Sequence, residues 1–132
     1  MVVDGSVLLA ILLRSPDATR FDTALADASV RLISAVTRAE VACVIESRKG
    51  ATGRTVLERL LREGDIETAA VTPQQADLAA DAFGRFGTNR QSAALTLGDC
   101  FAYALAQIVG LPLLFRDERF RRTDVTAALP PA

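Results

Sequence analysis

Histidine is absent from this chain of 132 residues, so no acid–base relay and no metal site in it depends on an imidazole. Cysteine is scarce. Cys43 and Cys100 share no C-x-x-C spacing and lie in apolar helical stretches, which argues against a disulfide framework or a zinc site and predicts two buried free thiols. The chain has no uninterrupted apolar run of about 18 residues. It also lacks a basic start followed by a long apolar stretch, because Asp4 breaks the first hydrophobic segment. The expectation is a soluble cytoplasmic protein with no signal peptide and no membrane span. No G-x-G-x-x-G or other glycine-rich phosphate loop follows the first apolar segment, which counts against a small nucleotide-binding domain. The formal charge of −1 gives no global attraction to a polyanion, which would have to be held by a local patch or through metal ions.

Apolar material, by contrast, is plentiful: half of the residues are hydrophobic, enough to predict one compact domain over residues 1–132. A short strand is expected at Met1 to Asp4. A helix from about Ser6 to Leu13 follows, with Val7, Leu8, Ile11 and Leu12 on one face. Asp17 caps a second helix carrying Phe21, Leu25 and Ala28, and a strand at Arg31 to Ile33 leads into a third helix, Ala35 to Arg48, which Lys49-Gly50 ends. Further helices are predicted from Thr55 to about Arg62, from Pro73, and from Leu97 to Val109, with strands at Ile66 to Val71 and Pro112 to Phe115 and a possible edge strand at Val125 to Ala128. Strands alternating with helices, without hairpin turns between them, indicate an α/β fold with a mainly parallel sheet covered on both faces. Ligands of such folds gather beyond the carboxyl ends of the strands.

Four acids stand where these segments begin or end. Asp4 closes Met1-Val2-Val3, Glu40 and Asp99 fall in the first turns of predicted helices, and Asp117 follows Leu111-Pro112-Leu113-Leu114-Phe115. Each has a structural use of its own. Asp4 suits an Asx turn or helix cap. Thr37-Arg38-Ala39-Glu40 and Thr96-Leu97-Gly98-Asp99 both have the form of a capping box. If the fold gathers the four, however, their mutual repulsion calls for a cation, and a set made only of carboxylates suits a hard divalent ion such as Mg²⁺ or Mn²⁺. Arg116, Arg119, Arg121 and Arg122 crowd one short stretch, readable either as a solvated basic turn or as a phosphate-binding patch.

The blocks around the acids resemble the PIN-domain ribonucleases, especially the VapC-type toxins of bacterial toxin–antitoxin pairs. The resemblance is carried by Val2-Val3-Asp4-Gly5-Ser6, by Ile33-Ser34-Ala35-Val36-Thr37-Arg38-Ala39-Glu40, by Leu97-Gly98-Asp99-Cys100-Phe101-Ala102-Tyr103-Ala104-Leu105-Ala106, and by Pro112-Leu113-Leu114-Phe115-Arg116 followed by Phe120 and Thr123-Asp124. It covers almost the whole chain and implies a three-layer α/β/α sandwich. It also implies that Asp4, Glu40 and Asp99 bind Mg²⁺ or Mn²⁺ in a negatively charged pocket, with Asp117 as a fourth acid. Two positions depart from the usual pattern: Gly5 where Thr is common, and Arg119 where members often carry another Asp before Phe120.

The function implied is metal-dependent endoribonuclease cleavage of phosphodiester bonds by a toxin. Asp4, Glu40, Asp99 and Asp117 would be its metal-binding and catalytic set, and Ser6, Arg90 and Arg116 are candidate substrate contacts. No aromatic motif of the base-stacking type is present, so no reading of RNA bases follows. The partners implied are RNA, a small VapB-type antitoxin wrapped over an apolar groove near Leu12, Leu13 and the Val44 to Leu61 segment, and a second copy of the chain. A noncatalytic PIN-like module that binds RNA or protein is the alternative, encouraged by Gly5 and Arg119.

Overall fold

The computed structural model describes residues 1–87 and 93–132. In chain order it contains β1 (Val2–Val3), α1 (Gly5–Leu12), α2 (Ala18–Asp27), β2 (Leu32–Ser34), α3 (Ala35–Glu63), β3 (Glu67–Ala69), α4 (Pro73–Phe86), α5 (Leu97–Val109), β4 (Leu113–Leu114) and a 3₁₀ turn, Glu118–Arg122. The four strands form one sheet in the order β3-β2-β1-β4, and every pairing is parallel. Val2 is in register with Leu32 on one side and Leu113 on the other.

Side-chain alternation along the strands makes the three layers. Val2 and Leu113 face the cluster formed with α4 and α5, around Ala79, Leu105 and Phe120. Their neighbours Val3 and Leu114 join Ile33 in a second cluster with α1, α2 and α3, around Leu8, Phe21 and Ile45. A period of two places successive residues on opposite faces of a sheet, so a strand of only two fully buried residues serves both cores. The expected three-layer α/β/α sandwich is therefore what the chain forms. Tyr103 belongs to the α5 core: its ring meets Phe86 edge-on at 5.7 Å, and its hydroxyl donates to Asp124 at 2.5 Å.

Several local expectations are corrected. β2 runs into α3 without a loop, and Ser34, the last strand residue, is the cap of α3; its hydroxyl accepts from the Val36 amide at 3.2 Å. Glu40 therefore lies in the second turn and closes no capping box with Thr37. The helical segment beyond Gly50 starts earlier than Thr55, because only Gly50 leaves helical geometry, with φ 64° and ψ −155°. That left-handed conformation is one glycine adopts without a Cβ clash. The third strand shrinks to Glu67–Ala69, and the Val125 to Ala128 edge strand to a single bridge between Leu113 and Ala127. Cys100 is buried, but Cys43 is exposed. Removing the α3 cap tests the corrected boundary: Ser34→Ala is expected to lower unfolding free energy by about 1 kcal/mol, read as a lower urea midpoint at constant slope.

Candidate active site

Asp4, Glu40, Asp99 and Asp117 line one cavity of about 210 Å³, walled by apolar Leu9, Val41 and Val44. They arrive from four separate places: Asp4 from the end of β1, Glu40 from α3, Asp99 from the first turn of α5, and Asp117 from just beyond β4. The cavity lies past the carboxyl ends of the strands, where the parallel topology leads the chain away from the sheet.

Three of the four carboxylates are held by caps in their own segments. Asp4 caps α1, and its Oδ2 accepts from the Ser6 amide at 3.1 Å and from the Ser6 hydroxyl at 2.5 Å. That hydroxyl oxygen also accepts from the Arg116 amide at 3.0 Å, and more distantly from that of Asp117 at 3.4 Å. One side chain thus ties the end of β1 to the end of β4. Asp99 completes the capping box read from the sequence, accepting from the Thr96 amide at 2.9 Å while its own amide donates to the Thr96 hydroxyl at 3.2 Å. Asp117 caps the 3₁₀ turn, accepting from the Arg119 amide at 3.0 Å.

Glu40 is positioned by a residue the sequence reading did not single out. A Cβ built on Gly98 would coincide with the Glu40 carboxylate, so α3 brings this acid against bare backbone of α5 in space only glycine leaves. Gly5, the first departure from the family pattern, is also at a close approach: a Cβ there would lie 2.9 Å from Cγ2 of Val41. Thr37 was likewise missed. It lines the same cavity and is buried, and its hydroxyl oxygen has no hydrogen-bond partner among the described residues.

The electrostatics are those of crowded acids. Burial pushes the Asp4 carboxyl up to about 6; the neighbouring Asp99 and Asp117 add to the rise, and the Ser6 hydrogen bonds oppose it. Glu40 is raised by burial and then by Asp99. Burial also acts to raise Asp117, but hydrogen bonds from Arg119 outweigh it and bring this group below the usual carboxylate range. As the side chains stand, no three of the described acidic or thiol groups form a ready metal-ligand set. Asp99 and Asp117 are both engaged by the guanidinium of Arg119.

The candidate substrate contacts fare differently. Arg116 forms an ion pair with Asp17 at 2.8 Å on the rim, and Arg90 lies outside the described residues.

A family model described as PIN domain matches residues 1–125. The chain belongs to the PIN-domain family. This PIN domain is 47% identical to a Ribonuclease VapC of Mycolicibacterium smegmatis over 127 residues, covering 96% of this chain and 98% of the relative. It is 44% identical over 131 residues to Ribonuclease VapC30 of Mycobacterium tuberculosis, covering 98% and 100%. Its backbone matches the crystal structure of Mycobacterium tuberculosis VapC20, described as a sarcin–ricin loop cleaving toxin, with a TM-score of 0.80 over 98% of each chain at 16% identity. At that identity the match bears on the fold, whereas the two sequence relatives place this PIN domain beside VapC ribonucleases over nearly their whole length. No helix among the described residues is long and apolar enough to cross a membrane.

Proposed function

We propose that this PIN domain is a divalent-metal-dependent endoribonuclease and the toxin of a toxin–antitoxin pair. Asp4, Glu40 and Asp99 would hold Mg²⁺ or Mn²⁺, with Asp117 a weaker ligand or an outer partner. The observation that carries this reading is the meeting of four carboxylates from four separate elements in one cavity, in a chain closely similar to VapC ribonucleases from end to end.

The donor set fits the ion. All four groups offer hard oxygen, which Mg²⁺ and Mn²⁺ prefer, and the orphaned Thr37 hydroxyl adds an unsatisfied oxygen to the same wall. When bound, such an ion supplies a Lewis acid for the nonbridging phosphate oxygens and a more acidic water. The chain's own residues do the positioning. Ser6 fixes the rotamer of Asp4, Thr96 fixes Asp99, and Leu9, Val41 and Val44 limit access of bulk water to one side. A carboxylate of the set takes the proton of the attacking water.

The partner reading has a surface to rest on. A groove of about 380 Å³ lies between α1 and α3, lined by apolar Ile11, Leu12, Val56 and Leu60 and by Arg14, Lys49 and Arg59 against one acid, Glu63. An amphipathic antitoxin segment with acidic flanks suits it. Assembly of two copies, and residence in the cytoplasm beside RNA, belong to the same proposal.

A noncatalytic module stays as the second reading, because Arg119 already pairs with two of the acids. Incubating the purified protein with a mixed pool of structured RNAs separates the two. Cleavage should appear with Mg²⁺ or Mn²⁺ and vanish in EDTA and in Asp99→Asn, whose amide oxygen still accepts from the Thr96 amide. Folded, antitoxin-free protein that binds the RNA but leaves it intact under every metal condition would establish the noncatalytic reading.

A further inference from the structure

Arg119 is the second of the two residues at which the sequence departs from the family pattern, and it contacts two of the four acids. Its Nε lies 2.9 Å from both carboxylate oxygens of Asp117, and Nη2 contacts the same carboxylate. Nη2 also reaches Asp99 Oδ2 at 3.0 Å, and Nη1 donates to the Ala94 carbonyl at 2.7 Å. One guanidinium thus joins the 3₁₀ turn, the first turn of α5 and the segment before it.

These contacts determine what a divalent ion would find there. Asp99 Oδ2 is committed to Arg119 and to the Thr96 amide, so Asp99 offers an ion its Oδ1. Asp117 is gripped along its whole edge by the planar fork, an arrangement that is short, charge-assisted and geometrically specific. In two-metal phosphodiester sites the ions sit about 3.5–4 Å apart, so a second ion would need further carboxylate oxygens close to the first. Here the space between Asp99 and Asp117 holds a fixed positive charge.

We infer that Arg119 is the built-in second cation of this centre: by holding Asp99 and Asp117 it takes the place of a second divalent ion and limits the site to one, bound by Asp4, Glu40 and Asp99. The inference rests on the metal-dependent reading above. It also accounts for Asp99 and Asp117 sitting together before any metal arrives, since one guanidinium pairs with both carboxylates. An Asp at position 119 would instead add a ligand and remove the counter-charge.

Counting bound Mn²⁺ tests this without recourse to activity. Equilibrium dialysis and electron paramagnetic resonance should find one Mn²⁺ per wild-type chain, showing the resolved hyperfine lines of an isolated ion, and one per chain in Arg119→Lys, which keeps the charge. Arg119→Gln should bind two, with the broadened spectrum of a coupled pair. Its melting temperature in EDTA should fall, and the rise on adding Mn²⁺ should exceed that of the wild type. Two ions in the wild type, or one in Arg119→Gln, would overturn the inference and leave the metal reading standing. No ion bound by any of the three would be the failure of the metal reading itself and would remove the inference with it. If Arg119→Gln does not fold, the wild-type count and spectrum decide alone.

Discussion

Asp4→Asn is expected to abolish RNA cleavage and, in the same protein, to raise the melting temperature measured in EDTA at pH 7.5. Asp4 is buried, and its carboxyl is raised from 3.8 to about 6, first by desolvation and then by Asp99 and Asp117. A carboxyl raised in the folded state contributes stability that is fully present below its unfolded value and is lost as pH climbs through the folded value. Above about pH 6 the folded protein therefore carries the full cost of this buried charge, about 3 kcal/mol for a rise of about two units, at 1.36 kcal/mol per unit. An Asn side chain accepts the same two bonds from Ser6 without the charge, so the variant should gain about 1–3 kcal/mol in EDTA at pH 7.5. The gain should shrink toward zero as the pH is lowered to 4. Mn²⁺ should then reverse the order by stabilising only the wild type, because a ligand that binds the folded state alone raises its stability by mass action. Cleavage should fall by about 10²-fold or more, the loss that follows removal of a single preorganised group at a charged reaction centre. A variant no more stable than wild type in EDTA, or one whose gain is unchanged at pH 4, would show that Asp4 is not the strained charge described.

Gly98→Ala is also expected to separate activity from stability. Alanine is a better helix former than glycine by about 1 kcal/mol in a helix interior, and position 98 is in the first turn of α5, where part of that gain applies. The methyl group, however, would occupy the volume of the Glu40 carboxylate. Glu40 is on an exposed part of α3, so its side chain can turn outward and the fold survives the clash. Chemical denaturation should show a midpoint unchanged or slightly raised. Mn²⁺ affinity should fall about 10–100-fold, in the range seen when a residue that orients a ligand is lost, and cleavage should fall with it. Wild-type affinity and cleavage in a folded Gly98→Ala protein would remove Glu40 from the metal set.

Much of the scaffold was legible because its rules are local. Val2-Val3 and Leu113-Leu114 announce buried strands, Thr72-Pro73 announces a helix start, and Thr96-x-x-Asp99 announces the capping box that forms. Glu40 was given the wrong local role because an equally good cap, Ser34, was hidden at the end of a strand with no loop to mark the boundary. The approach of Glu40 to Gly98 joins α3 to α5 across the fold, and no spacing within either helix encodes it. Arg119 was legible as one of a basic run but not as the one that turns inward. Its partners are two residues away in a 3₁₀ turn and twenty residues back at α5, an arrangement with neither helical nor strand periodicity. Cys43 shows the converse, an apolar-looking helix position left in solvent because α3 turns its other face to the core.

The central place of β1 bears on when the site comes into being. β1 opens the chain, yet one of its two neighbours is β4: Val2 pairs with Leu113, Val3 pairs with Leu114, and the Asp4 amide donates to the Leu114 carbonyl. Chains are made from the N-terminus at about 5–20 residues per second, so during synthesis β1 waits with one edge unfilled until the segment carrying β4 has emerged. Asp117, Arg119 and the Ser6 tie to the Arg116 amide all depend on that last strand arriving. The four-carboxylate cavity is thus incomplete in every nascent chain that stops short of Asp117, and a translation product stalled before β4 carries the apolar core segments without the strand that pairs with β1 beside Asp4.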